Sequence, residues 1–437
     1  MKIQSAISRL VTGMLNCIII LVMALGVSHV VMSCVSNGGT STQSGDSDKD
    51  FLRVSGKDIV DSKGEKFYIK GTNLGNWLNP EGYMFGFKRT SSPHMIDEAF
   101  RQMVGPTEAA RFWKNFRDSY VTEEDVKFIA STGANTIRLP FHYRLFTPES
   151  YLGVNDGNEG FRLVDSLVDW SRSHGLRVIL DMHDCPGGQT GDNIDDSHGY
   201  PWLMTDSVAQ NEFLSIWERI ADRYKDEPVI LGYELANEPI ATYWEGAERD
   251  SLNAALEPLY KRATEAIRRH DGNHIVLLGG AQWNSNFEPF TDWNFDDNIM
   301  YTCHRYGGAA TKEAIQSFID FRDKTGLPMY MGEIGHNTDE WMSEFVDVMR
   351  DNNIGYTFWP YKKIGDSAMT GIATPPYWDK VVEFVESPRG SYGEIREARG
   401  RLDPDSARMA LNGYAENARA GRMLRHDSYI KAIQLDK

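Results

Sequence analysis

The sequence predicts a (β/α)8 barrel, the TIM-barrel class, with an N-terminal hairpin and a C-terminal helical tail. Three observations lead there. Eight short apolar runs alternate with amphipathic stretches from residue 51 onward. Several of them, such as Val178-Ile179-Leu180 and Ile275-Val276-Leu277-Leu278, are apolar without interruption, as parallel strands covered on both faces are. Polar and aromatic residues gather where the runs end. Eight strand–helix repeats over roughly 320 residues fit a closed barrel better than an open doubly wound sheet. No Gly-rich phosphate fingerprint follows the first run, which removes the usual support for a nucleotide fold.

The elements follow in order. Residues 54–64 carry glycine at both turns and read as a hairpin placed to close the barrel floor. Candidate strands span 67–71, 134–139, 177–182, 229–236, 274–278, 298–303, 328–333 and 354–359. Between them lie helical stripes: Leu163, Leu167 and Trp170; Leu252, Leu256, Leu259, Tyr260, Ala263 and Ile267; Ala314, Phe318 and Phe321. Beyond the last strand, Asp403-Pro404 reads as an N-cap followed by proline at the first helical position. Ala410, Leu411, Tyr414 and Ala418 then share one face. The expected organisation is a catalytic barrel over 51–388 and a helical extension over 389–437 packed on it.

Lys2 and Arg9 precede an apolar run over 17–27 and then Val31-Met32-Ser33-Cys34. A basic start, an apolar middle and a small residue before a cut describe an export signal. Residues 11–35 are also long enough to cross a bilayer, so a single membrane anchor is the competing reading. The stretch resembles a bacterial lipoprotein signal. That resemblance implies removal of residues 1–33, lipidation of Cys34 and an exported protein on the outer membrane or cell surface, otherwise periplasmic or secreted. Residues 34–50, rich in Ser, Thr, Gly, Asn and Asp, cannot bury enough to order themselves and read as a flexible tether.

Composition narrows the partners. The 437 residues carry 41% hydrophobic and 25% charged side chains, an ordinary globular balance, with a formal charge of −16. Nucleic acid is not expected as a partner, because phosphate backbones need a basic surface. Any contact with a membrane is expected only through the N-terminal lipid, and the protein is expected to be a monomer. Cys185 and Cys303 remain after the signal, and their spacing does not decide whether they pair. Asp192, Asp195 and Asp196 lack the spacing of a calcium loop, and the histidines lack the paired spacing of a zinc site. No metal and no cofactor are expected.

Barrel chemistry is built at the C-terminal ends of the strands. Those ends carry Asn73 to Trp77, Arg138, His183, Asn237-Glu238, Gln282-Trp283, His304 to Tyr306, Glu333 and Trp359. Two carboxylates stand out: Glu238 just past the fourth strand, and Glu333 at the end of the seventh. Those ends face each other across a barrel mouth, so the two carboxyls can flank one bond. A glycosidic bond needs that pair, one group to protonate the leaving oxygen and one to attack or stabilise the anomeric carbon.

Arg138, His183, Asn237-Glu238-Pro239, His304-Arg305-Tyr306, Glu333 and Trp359, in this order, resemble glycoside hydrolase family 5, the cellulase-like retaining glycosidases. The likeness runs from about Phe51 to Trp359. Lys70-Gly-Thr-Asn-Leu-Gly-Asn-Trp-Leu78 resembles the exo-1,3-glucanase branch, and Pro186-Gly-Gly-Gln-Thr190 does so less closely. Asn193-Ile194-Asp195-Asp196 departs from it. The resemblance implies hydrolysis of a β-linked polysaccharide, a β-glucan or related hemicellulose, by double displacement. Glu238 would be the acid/base, kept protonated near neutral pH, and Glu333 the nucleophile, kept ionised by Arg138 and Tyr306. Asn237 would bond the sugar 2-hydroxyl, and His183 and His304 would orient hydroxyls or the catalytic carboxyls. Trp283 and Trp359 would offer flat faces to a pyranose, with Trp77, Trp202 and Trp293 as further platforms. Trp113, Trp170 and Trp217 fall on predicted helices and read as core. Two other readings keep the barrel: a non-catalytic carbohydrate-binding protein, which needs neither carboxylate, and a transglycosylase using the same site.

Overall fold

A computed structural model describes residues 50–436. The expected signal, Cys34 and all of the tether except Asp50 lie outside the described residues. Eight parallel strands close into a barrel: β3 (Lys70–Asn73), β4 (Thr136–His142), β5 (Arg177–Asp184), β6 (Ile230–Glu234), β7 (Ile275–Gly279), β8 (Ile299–Arg305), β9 (Met329–Gly335) and β10 (Gly355–Trp359), with β10 pairing back onto β3. Helices alternate with the strands, and the fold class is the one the sequence predicts.

Ahead of the barrel, β1 (Arg53–Ser55) and β2 (Asp58–Val60) form an antiparallel hairpin around Gly56, whose φ of +59° suits glycine. Leu52 and Ile59 pack into one apolar cluster with Ile179, Leu231, Leu277, Met300 and Tyr330 from the barrel strands, which closes the floor as expected. The first barrel strand starts at Lys70, three residues later than the apolar run suggests. The reason is local: the Phe67 N–H donates to the Ile59 carbonyl and Val60 bridges Lys66, so the aromatic stretch extends the hairpin instead.

The helical stripes turn inward. In the helix Gly246–Arg268, Leu252, Leu256, Leu259, Tyr260, Ala263 and Ile267 are all buried. The tail helix Pro404–Asn417 starts at Asp403, whose carboxylate accepts from the Ser406 N–H. It buries Ala410, Leu411 and Tyr414, the last stacked between Phe85 and Trp378 at 4.8 Å from each ring. Cys185 and Cys303 are both free and buried.

Past β10 the chain makes β11 (Lys362–Ile364), β12 (Thr370–Ile372) and, later, β13 (Leu424–Arg425), a small sheet. Lys362 is fully buried there, with Nζ donating to Asp125 Oδ1 at 2.6 Å and to the carbonyls of Tyr120 and Ala418 at 2.6 and 2.7 Å. This junction fixes the exit of the strand that carries Trp359. Lys362→Ala leaves Asp125 buried and uncompensated, and is expected to lower stability by about 3–5 kcal/mol in urea unfolding.

Candidate active site

The strand register places the polar side chains at one height. Asn73 lies beside Arg138 on β3 and β4, Asp181 beside Glu234 on β5 and β6, and His304 beside Glu333 on β8 and β9. Arg138 is the hub. It is fully buried, and Nε and Nη2 donate to the two oxygens of Glu234 at 2.9 and 2.8 Å. Nη1 reaches Glu333 Oε1 at 2.7 Å and Asn73 Oδ1 at 3.0 Å, while Nη2 also meets Asn237 Oδ1 at 2.9 Å and Asp181 Oδ2 at 3.0 Å. One guanidinium therefore serves three buried carboxyls. Burial pushes Glu234 up and Asp181 up to about 7, with the Arg138 charge pulling both back.

Glu333 accepts from both sides, from Arg138 at Oε1 and from the Tyr306 hydroxyl at Oε2, 2.7 Å away. Its strand must come close to β8. A side chain at Gly332 would place Cβ 2.4 Å from Thr302 Oγ1 and 2.9 Å from His304 Nε2, so only glycine fits.

Glu238 has a different environment. Its backbone sits at φ +45°, in the left-handed region, just past β6. The Thr190 hydroxyl donates to the Glu238 carbonyl and the Gln189 amide to the Asn237 carbonyl, both at 2.7 Å, which holds this turn. Burial first, and the negative charge of Glu333 second, push the Glu238 carboxyl well above the usual range. Among the described residues its one hydrogen-bond partner is His304 Nδ1, 2.8 Å from Oε1. The Asn284 amide lies 3.1 Å from His304 Nε2, and burial drives that histidine far down, so the ring is neutral. With Asn284 donating to Nε2, the ring proton is on Nδ1 and points at Glu238.

His183 is neutral too, pushed down to about 3 by burial. Its Nδ1 lies 2.7 Å from Asp181 and its Nε2 accepts from the Asn237 amide at 3.2 Å. Trp359 stacks flat against His183, with ring centroids 5.3 Å apart and planes 8° apart, and its Nε1 donates to the Tyr83 hydroxyl at 2.5 Å. Trp283 lines an open cleft of about 710 Å3 with Glu238, His304, Tyr306, Ile194 and Arg305.

A ligand atom from each of Glu238, His304 and Glu333 lies within 4.8 Å of the other two. These groups can be compared with a metal site, but the donors are already committed. Both Glu333 oxygens and His304 Nδ1 make hydrogen bonds, and a guanidinium lies 2.7 Å from the first carboxylate. The chemistry that fits is acid–base and nucleophilic, with two carboxyls across one small gap.

Arg138, His183, Asn237, Glu238, His304, Tyr306, Glu333 and Trp359 thus converge, with Trp283 on the adjoining wall. Trp77 does not: it is a core residue whose Nε1 donates to the Arg117 carbonyl. Trp293 lies under the Lys324 ammonium, 4.9 Å away, and Trp202 is exposed; neither lines the cleft. Of the helical tryptophans, Trp113 and Trp217 are core and Trp170 is half-buried. Asp195 and Asp196 are structural caps. Asp195 accepts from the N–H groups of Thr190, Gly191 and Ser197, and Asp196 is held between His94 and His142. Sequence reasoning missed Asp181, Glu234, Tyr83 and Asn284. An acid inside an apolar strand must be paired, and that signal marks the first two.

A parallel eight-stranded barrel with paired carboxyls at its C-terminal mouth has the geometry that cleavage of a glycosidic bond requires. A family model described as Cellulase (glycosyl hydrolase family 5) matches residues 96–364. The chain belongs to glycosyl hydrolase family 5 and is a glycosidase. It is similar to a β-xylosidase of Phanerodontia chrysosporium, 29% identical over 377 residues, covering 77% of this chain and 76% of that protein. It is also similar to a probable glucan 1,3-beta-glucosidase A of Emericella nidulans, 28% identical over 272 residues, covering 58% and 61% respectively. Among solved structures, rutinosidase from Aspergillus niger shares the fold, with a TM-score of 0.56 at 18% identity over 69% of this chain and 92% of that one.

Proposed function

We propose that this protein is a retaining β-glycosidase that hydrolyses a β-linked glucan or related hemicellulose by double displacement, with Glu333 as nucleophile and Glu238 as acid/base. The observation that carries the reading is the opposed pair. One carboxyl accepts two donors including a guanidinium, and the other is pushed up by burial beside it, within 4.8 Å. Retention needs carboxyls close enough for direct attack, roughly 5–5.5 Å apart, whereas inversion leaves room for a water.

The steps follow from the hydrogen bonds. His304 Nδ1–H engages Glu238 Oε1, so the transferable proton resides on Oε2. That proton goes to the glycosidic oxygen as Glu333 attacks the anomeric carbon. Bond formation removes the Glu333 charge, which was holding the Glu238 proton. Glu238 then accepts a proton from the attacking water, and the enzyme regains its first state. Asn237, fixed by Arg138 at its oxygen and His183 at its nitrogen, keeps one N–H for the sugar 2-hydroxyl. Tyr306→Phe removes one of the donors to Glu333 and is expected to lower kcat by about 100-fold, with KM little changed; steady-state kinetics check this.

The direct test of stereochemistry is proton NMR of the first product. The β-anomer appearing first supports the reading, and the α-anomer appearing first overturns it. A polysaccharide panel with product sizing names the backbone sugar, the linkage and endo or exo action. It also separates hydrolysis from transfer when run with added acceptor.

Export and lipidation form part of the same proposal and rest on residues 1–34. Cells fed a radiolabelled fatty acid are expected to label the wild-type protein and not Cys34→Ala. Equal labelling of both would remove the lipoprotein assignment.

A further inference from the structure

The cleft beside Trp283 contains Glu238 but not Glu333 in its wall. If Glu238 is the acid, as proposed above, this is the leaving-group side, because the acid stands next to the glycosidic oxygen and the group beyond it. Arg305, the last residue of β8, lines that cleft. Its surroundings differ from those of Arg138. Among the described residues no carboxylate lies within ion-pair distance of its guanidinium, and its Nε is buried with no hydrogen-bond partner. Nη1 and Nη2 also have no hydrogen-bond partner among the described residues, and unlike Nε they are open to solvent, so they are the donors a group in the cleft can reach.

The guanidinium is also seated. A Cβ at Gly308 would fall 2.5 Å from Arg305 Nη2, and Gly308 has φ +80°, so the head lies against bare backbone that only glycine supplies. The Trp341 indole fixes that turn by donating to the Gly308 carbonyl at 2.7 Å. The other acid in the wall besides Glu238, Asp192, accepts from the Asn193 N–H and lies beside the Tyr243 hydroxyl, with no ion pair to Arg305. The cleft therefore presents a positioned cation with free donors, and the half-buried Trp283 lines the same cleft.

We infer that the leaving-group side of this cleft recognises a carboxylate on the departing group, held by the Arg305 guanidinium. The planar fork matches a carboxylate in two-point contact, and the indole of Trp283 in the same cleft gives the ring of a sugar or an aromatic acid a surface. Two sources share that chemistry: a uronic acid residue and a carboxylated aromatic aglycone. In either case nothing is added to the reaction itself. The carboxylate leaves with the departing alcohol or phenol, which takes its proton from Glu238.

The test compares kcat/KM for a 4-carboxyphenyl β-glycoside and its neutral 4-carbamoylphenyl counterpart, in the wild-type enzyme and in Arg305→Gln. Intrinsic leaving-group reactivity cancels when the acid-to-neutral ratio is compared between the two proteins. That ratio is expected to fall about tenfold in Arg305→Gln, to fall less in Arg305→Lys, and to shrink in the wild type as salt is raised. A second pair, disaccharides with glucuronate or glucose as the departing sugar, separates the sources. An Arg305-dependent ratio in both pairs assigns the site to uronic acids, and in the aryl pair alone to aromatic acids. Turnover of both pairs with ratios unaltered by Arg305→Gln overturns the inference and leaves the glycosidase reading intact. No turnover of any of the glycosides by the wild type, across the sugars of the panel, overturns that reading and the inference with it.

Discussion

Glu333→Ala is expected to lower kcat by at least about four orders of magnitude on every substrate, activated or not. The substitution removes the group proposed to form the covalent bond, and neither of the other two carboxyls on Arg138 is free to take its place. Glu234 is tied to Arg138 through both oxygens, and Asp181 is shared between Arg138 and His183. Substrate affinity is expected to survive, because Asn237 and Trp359 keep their own anchors. The variant also frees the Tyr306 hydroxyl and one Arg138 N–H, which an external nucleophile such as formate can use. Partial recovery of turnover with formate would place the defect at the anomeric carbon. Undiminished cleavage would remove Glu333 from the mechanism.

Glu238→Ala should behave differently, and the difference is diagnostic. On a natural glycoside, whose leaving alcohol needs a proton, kcat is expected to fall about 10²–10⁴-fold. On an aryl glycoside with a good leaving group the first step needs no acid, so the covalent intermediate forms and then waits for a base that is missing. Azide, already an anion, needs no base. It should restore turnover and yield the β-glycosyl azide, seen by NMR. The pH profile gives a second readout. Burial and the Glu333 charge raise the wild-type Glu238 carboxyl. The protonated form works, so activity on substrates that need acid help persists through neutral pH and is lost as pH rises through that raised value. This alkaline limb should vanish in Glu238→Ala assayed on the aryl glycoside. If azide neither rescues nor changes the product, Glu238 is not the acid/base.

Much of the barrel was legible because its physics is local. A strand covered on both faces must be apolar, and an amphipathic helix must repeat every three to four residues, so both leave a mark in a short window. Glu238 and Glu333 were legible because strand ends in a barrel have a fixed place, which turns sequence order into spatial opposition. The start of β3 was not, because Phe67 and Tyr68 are as strand-like as the residues that follow. What divides them is the hairpin contact to Ile59, made across eight residues. Asp181 and Glu234 were hidden for a related reason. Each reads as an odd acid in an apolar run until Arg138, from a neighbouring strand, is brought between them. Trp77 misled in the opposite direction. Its place at a strand end suggested a platform, but the ring is core and its Nε1 donates to the Arg117 carbonyl in the helix Pro106–Ser119.

The measurement that tests the central claim most directly is trapping of the covalent intermediate. A 2-deoxy-2-fluoro β-glycoside with a good leaving group slows the second step more than the first, so the glycosyl-enzyme accumulates. The account predicts a mass gain of one fluorosugar on the intact protein, located by peptide sequencing to Glu333. Inactivation without that mass gain, or a label on any other residue, would contradict it.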